Sequence, residues 1–374
     1  AIAAAAIVAA GALATRGVLR DDAPAPRAEV RASILPPENL RFSAYSGAIG
    51  GLTVSPDGTR VTFIASDGKS GGQGTLFVRL LSSETAQPIP DSSGASFPFW
   101  SPDSRSIAFF VDGALKKFDL EGGAPMTVCA APNGRGGSWN ADGDIVFAPD
   151  TNTPIHRVSA SGGTPEPVTV LDSNRGGEST HRHPVFLPDG RRFLYLRASH
   201  AAARTESVNA IWIGSLDSDA TTELLGTAMN VTYGGGHLFY LKEQFLMARP
   251  FDPGSVSFTD DPSVVAENVM IEPDFFRGAF DVSDDGTIVY QHGVSSGMVL
   301  QVTDRAGAVQ ETLGEPRQYT AIRLSPDATK IAMTVAEPGS SQDDLWVLDL
   351  ARGSRSRVTF DLGSDQEPVW SPDG

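Results

Sequence analysis

Phe97-Pro98-Phe99-Trp100-Ser101-Pro102-Asp103 decides the fold, because its closing turn recurs along the chain. The turn stands again as Ser55-Pro56-Asp57-Gly58, Asn140-Ala141-Asp142-Gly143, Leu187-Pro188-Asp189-Gly190 and Ser283-Asp284-Asp285-Gly286. Ser325-Pro326-Asp327-Ala328 and Ser371-Pro372-Asp373-Gly374 continue the series, and Tyr233-Gly234-Gly235-Gly236 is a degenerate copy. The third positions are 57, 103, 142, 189, 235, 285, 327 and 373, so the spacing runs from 39 to 50 residues. That is the period of a propeller blade. Pro presets φ, Asp bonds the local backbone and Gly accepts positive φ, so the motif is a hairpin turn. The aspartates are therefore expected to stabilise turns. One carboxylate per repeat falls far short of the six to eight oxygens that calcium takes.

Working outward, each turn is flanked by strand-like sequence. Val61-Thr62-Phe63-Ile64, Ile107-Ala108-Phe109-Phe110 and Phe193-Leu194-Tyr195-Leu196 follow it directly. A further strand lies downstream, clearest at Leu76-Phe77-Val78, Ile211-Trp212-Ile213 and Leu345-Trp346-Val347, and a last one at Met126-Thr127-Val128. Four antiparallel strands make one blade. The prediction is an all-β propeller over residues 41–374, with seven complete four-stranded blades and an eighth begun near Gln366. An open solenoid of the same units is the structural alternative. The alternating stretch at 30–35 is a candidate outer strand to latch the ring. Trp100, Trp139, Phe186 and Trp370 read as packing between blades.

The 45 acidic and 29 basic residues give a net charge of −16, which excludes a nucleic-acid-binding module. The single cysteine, Cys129, excludes an intrachain disulfide and a Cys-based zinc site, and reads as a buried structural thiol. Residues 1–20 begin with an apolar run to Ala14, followed by Arg16 and Arg20, and predict a short apolar helix. The run reads as a truncated transmembrane anchor, a signal segment with Ala12-Leu13-Ala14 at its cleavage site, or a cytoplasmic apolar helix. Residues 21–40 read as a stiff Pro-rich linker.

Several motifs invite chemistry. Gly68-Lys69-Ser70-Gly71-Gly72 matches G-x-S-x-G, but it lies in a polar loop between two strands, where the nucleophile elbow needs a strand and then a helix. His181 and His183 alternate onto one side of a predicted strand, yet no third metal ligand is near in sequence. No metal and no cofactor are expected. In a propeller the strand leading into each turn faces the central channel. Its polar or charged residues, Arg135, His181, His183, Gln318 and Glu367, with Arg175 in the approach to the fourth blade, are the candidate ligand- or partner-binding set.

The repeats resemble those of TolB-like propellers with the Pro-Asp signature, over about residues 40–374. The specific part is the x-Pro-x-Trp-Ser-Pro-Asp pattern at 97–103 and at Glu367-Pro368-Val369-Trp370-Ser371-Pro372-Asp373. The fifth and sixth units depart from it. The stretches at 97–125, 133–149, 181–196 and 35–42 are similar to one bacterial group, the membrane-spanning serine/threonine protein kinases with an extracytoplasmic propeller. That resemblance implies a sensor or interaction domain, anchored in the inner membrane, with the propeller in the periplasm or outside the cell and an envelope ligand or protein as partner. No kinase Gly-rich loop, H-R-D or D-F-G stands in this sequence, so the chain itself is expected to be non-catalytic. A TolB-like periplasmic scaffold and the gating propeller of a prolyl-oligopeptidase-like hydrolase are the alternatives.

Overall fold

The computed structural model describes residues 32–42, 51–67, 73–172, 174, 177–200, 209–292, 298–304, 309–336, 343–360 and 365–374. The chain divides into Ala1–Pro36 and Pro37–Gly374. The apolar run at 1–20, the Gly68–Gly72 loop and Arg175 lie outside the described residues. Among the described residues no helix is long and apolar enough to cross a membrane. The described part of the expected latch, residues 32–35, lies in no strand.

The second unit is built from antiparallel sheets, and the turn motif explains why. In the first turn Ser55 Oγ donates to Asp57 Oδ1 (2.5 Å) and accepts from Arg60 N (2.9 Å). Asp57 Oδ1 also accepts from Thr59 N at 3.0 Å. The same bonds recur from Ser101 to Asp103 (2.6 Å), from Ser283 to Asp285 (2.5 Å) and from Ser325 to Asp327 (2.7 Å). Asp189 accepts from Arg191 N and Arg192 N, both at 2.9 Å. Each of these carboxylates is held by its own turn, as a hairpin requires. Hydrogen bonds from Ser325 and Thr329 bring the Asp327 carboxyl down to about 2, and the Ser101 hydroxyl lowers Asp103. Hydrogen bonding to the ionised form is the cause. The Asp142 turn is held differently: Asn140 accepts from Asp144 N (2.8 Å) and donates to Gly190 O (2.8 Å) in the next repeat.

The fourth turn position is left-handed throughout, at φ 67° in Gly58, 59° in Ser104, 65° in Gly190 and 57° in Ala328. A Cβ on Gly58 would also stand 2.5 Å from Asp285 Oδ1. Gly58→Ala is therefore expected to destabilise by about 1–3 kcal/mol. Ala328→Gly, which relieves the same backbone strain, should stabilise by no more than about 1 kcal/mol. Urea unfolding of the two variants checks the opposite signs.

The second strand of each repeat is apolar on both faces, as in Ile107, Ala108, Phe109, Phe110 and Val111, all buried. Alternation is absent because a neighbouring sheet covers each face. The cores accordingly lie between sheets. Ile64 and Leu76 of the first repeat meet Trp100, Ile107 and Phe109 of the second. Phe99 and Phe110 meet Ile145 and Phe147 of the third, and Leu194 and Ile211 of the fourth meet Leu238 and Phe251 of the fifth. Phe239 and Leu246 meet Phe280 and Val282 of the sixth.

The inner strands, Thr53–Val54, Ser96–Trp100, Gly137–Trp139, Thr180–Phe186, Val231–Gly234 and Phe280–Val282, stand side by side. The sixth returns to the first. Val54 N donates to Asp281 Oδ2 (2.9 Å), Thr53 Oγ1 bonds the same oxygen, and Asp284 N donates to Pro56 O (3.1 Å). This seam makes the assembly a closed propeller and rules out an open solenoid. Repeats one to five and seven form sheets of four or five strands, and the sixth is the hairpin Phe280–Val282 with Ile288–Tyr290. The repeat continues past the ring. The seventh turn joins Val309–Leu324 to Lys330–Ala336 in a separate sheet with its own core of Tyr319, Ile331, Met333 and Leu348. Its Leu324 is 56% exposed, where the equivalent Val54 and Trp100 of the ring are buried. The eighth turn, at 371–374, carries no strand.

Candidate functional site

The six inner strands enclose a channel of about 670 Å³. Phe99, Trp139, Phe186 and Tyr233 supply aromatic wall, and Thr53, Asn230, Thr232 and Asp281 supply polar wall. The end at the turns is rimmed by Pro56, Pro102, Ala141, Pro188 and Asp284. These are second positions of the recurring turn, so the motif that builds the hairpins also lines the mouth.

The other end is covered by a short 3-10 turn, Pro273–Phe275. The His183 ring must donate from Nε2, since its partner at 2.8 Å is the Phe275 carbonyl. Phe97 packs on both the His183 ring (5.6 Å) and the Phe275 ring (6.3 Å). The Arg135 guanidinium lies 5.4 Å from the Phe275 ring, and Arg182 lies 4.8 Å from Phe276. Arg277 ties the segment down through Glu272 (3.2 Å) and Leu52 O (3.1 Å).

Of the candidate set, Arg135 and His183 meet at this covered end. His181 does not. It is fully buried within the fourth repeat, 2.7 Å from Glu178 Oε1 and 2.8 Å from Thr169 Oγ1, with the Tyr195 ring at 4.9 Å. Simple alternation put His181 and His183 on one side. A bulge between Arg182 and Val185, with His183 at φ 50°, breaks that alternation and separates their partners. Phe97 and Glu367, the aligned residues before proline, share the left-handed backbone at 46° and 55°. Gln318 pairs with Ala336 in the seventh sheet, and Glu367 is exposed beyond it, so neither belongs to the ring. The covering segment itself carries no repeat motif, which is why periodicity did not find it.

Burial pushes the His183 imidazole down to about 3, against a partly opposing bond to Phe275 O. Burial also lowers His181. An unfolded histidine takes up its proton near pH 6.5. Between that pH and about 3 the unfolded state binds more protons at His183 than the folded state does, so stability rises with pH and falls on acidification, by up to about 1.4 kcal/mol per pH unit, and the lowering of His181 acts in the same direction. Denaturant midpoints at pH 7.5 and pH 5.0 should show this loss, and His183→Asn should reduce it.

One pair has the look of a nucleophile and base. Ser179 Oγ is 2.8 Å from His200 Nδ1. Arg182 Nη2 donates to His200 Nε2 at 2.6 Å, which fixes the proton on Nδ1. His200 then donates to Ser179 and cannot take its proton. Among the described residues no group of three or more His, Cys, Asp or Glu could hold a metal ion.

No protein-family model matches the chain, and no curated protein does. Among solved structures it is similar to a putative TolB from Agrobacterium tumefaciens, at 15% identity and a TM-score of 0.46, over 64% of this chain and 89% of that one. TolB from Acinetobacter baumannii is similar at 14% identity and a TM-score of 0.40, over 83% of this chain and 66% of the other. A prolyl endopeptidase is similar at 13% identity and a TM-score of 0.39, and this chain covers 49% of it. What the chain's own sheets and seam define is an all-β propeller with a central channel.

Proposed function

We infer that this propeller is a non-catalytic binding module that takes a ligand or a protein segment into its channel from the turn end. The observation that carries the reading is the channel itself, rimmed by turn residues at one end, with Pro273–Phe275 packed on Phe97, Arg135 and His183 at the other. Aromatic wall with a few polar groups is the usual make-up of a binding cavity. The tautomer forced on His200 removes the one serine–histidine pair noted above from nucleophilic chemistry. The finer reading is the extracytoplasmic sensor of a membrane-spanning serine/threonine kinase. Support for it comes from the sequence likeness at 97–125 and 181–196, the apolar run at 1–14 and the linker after it.

The full reading frame is the first test. Kinase motifs upstream support the sensor, a Met and basic segment before the apolar run support a periplasmic scaffold, and a downstream G-x-S-x-G with later Asp and His supports a hydrolase. If the frame encodes a kinase, deletion of residues 41–374 should change its phosphorylation output in cells. Unchanged output, with a purified propeller that retains no envelope component, would sink the sensor reading.

A further inference from the structure

The channel wall holds a carboxylate that makes no ion pair of its own among the described residues. Asp281 Oδ2 is occupied by Thr53 Oγ1 and Val54 N. Its Oδ1 is met by Thr232 Oγ1 at 3.5 Å, a long bond, and among the described residues no Lys, Arg or His pairs with it. The other ionisable groups lining the cavity are Asp142, Asp189, Asp284, Tyr233, His183 and Arg277. Arg277 is ion-paired with Glu272 and reaches Asp281 only through its longer-range charge, and His183 is a neutral donor to Phe275 O. Asp189 is paired with Arg192. The lumen thus presents two carboxyls outside any ion pair, Asp284 at the rim and Asp281 in the wall. Half-buried aromatic faces stand around them at Trp139, Phe186 and Tyr233.

We propose that the channel receives a basic side chain, a lysine ammonium or arginine guanidinium on a protein or peptide segment, which pairs with Asp281. The aromatic wall takes the aliphatic stem and offers ring faces to the charge. The acidic rim and the net charge of −16 draw a basic segment to the turn end. Burial raises the Asp281 carboxyl, and a bound cation favours its ionised form, so the pair strengthens as pH rises through its titration. Asp284, raised by burial and then by Asp285, contributes in the same direction, so the pH arm is read against a variant.

This inference rests on the channel being a binding site, and the experiment separates the two. The peptides acetyl-Gly-Gly-Lys-Gly-Gly-amide and its norleucine counterpart are titrated into the 374-residue chain by calorimetry at constant ionic strength. The lysine peptide is expected to bind on the order of tenfold tighter, the gain of a charge-assisted bond. Asp281→Asn, which keeps an acceptor for Val54 N and Thr53, should bring the lysine peptide to the norleucine level and leave norleucine unchanged. In the wild type the lysine preference should grow as pH rises, and it should still grow in Asp284→Asn, which serves as the second measurement should Asp281→Asn fold poorly; growth lost in Asp284→Asn overturns the role of Asp281. Equal binding of the two peptides overturns the basic-group inference while leaving the channel as a site. A lysine preference that survives Asp281→Asn overturns the role of Asp281, and binding of neither peptide overturns both readings.

Discussion

Glu178→Ala should lower stability by about 3–5 kcal/mol, the cost of leaving a buried cation without its partner. Glu178 is buried with His181 and Arg197 around it: Oε1 bonds His181 Nε2 at 2.7 Å, and Oε2 faces Arg197 Nε at 3.4 Å. Arg197 is itself buried, stacked 3.8 Å over Trp212 and bonded to Tyr195 at 2.7 Å. Removing the carboxylate strands the guanidinium among aromatic rings and leaves the Asp172 amide, 3.1 Å from Oε1, without its acceptor. Burial raises the Glu178 carboxyl, yet bonds from His181 and the charge of Arg197 outweigh it and leave the group lowered. The stability it contributes is therefore present above the unfolded carboxylate range and is lost as pH falls through the folded value. Guanidinium unfolding at pH 7 checks the magnitude. A loss under about 1 kcal/mol would mean that water already reaches Arg197. Glu178→Gln, which keeps an acceptor for His181, should fall between the wild type and the alanine variant.

Asp281→Ala is expected to cost about 2–4 kcal/mol. It removes the acceptor of two donors at the seam, the Val54 amide and the Thr53 hydroxyl, both on buried residues. Each unsatisfied buried donor costs roughly 1–3 kcal/mol. The loss should be local, because Thr53↔Thr62 and Val54↔Val61 still pair within the first sheet. Hydrogen exchange at Val54 should accelerate far more than at Tyr195, whose core lies between the third and fourth repeats, away from the seam. Uniform acceleration across the ring would show that the seam is no weaker than the sheets.

The blades were legible in the sequence because each depends on contacts a few residues apart. Ser55, Asp57, Thr59 and Arg60 make their turn among themselves, and the same types at the same offsets announce it elsewhere. Closure had no such signal. The sixth turn, Ser283 to Gly286, reads like any other, and its place beside the first follows from how strongly successive sheets rotate, which no single residue encodes. The candidate site was half legible for a related reason. Repeat alignment brings Arg135 and His183 to one end of the ring but carries no sign that Phe275 packs on them there, nor that the bulge at 182–185 parts His181 from them. Asp281 escaped notice because, in the inner-strand position of Phe99 and Val185, it looks like one more wall residue.

The seam also sets the order in which the molecule can be assembled. Val54 and Asp281 are 227 residues apart in sequence, while the sheets of the first five repeats each pair strands within their own repeat. Loop-closure entropy grows with the logarithm of length, and non-local pairings form late. Individual sheets can therefore nucleate as they are synthesised, each docking on the one before. The first sheet must wait, one face bare, until the sixth arrives. That interval is the aggregation-prone stage of folding, and Val54, Val61 and Phe63 are the residues a chaperone would meet there.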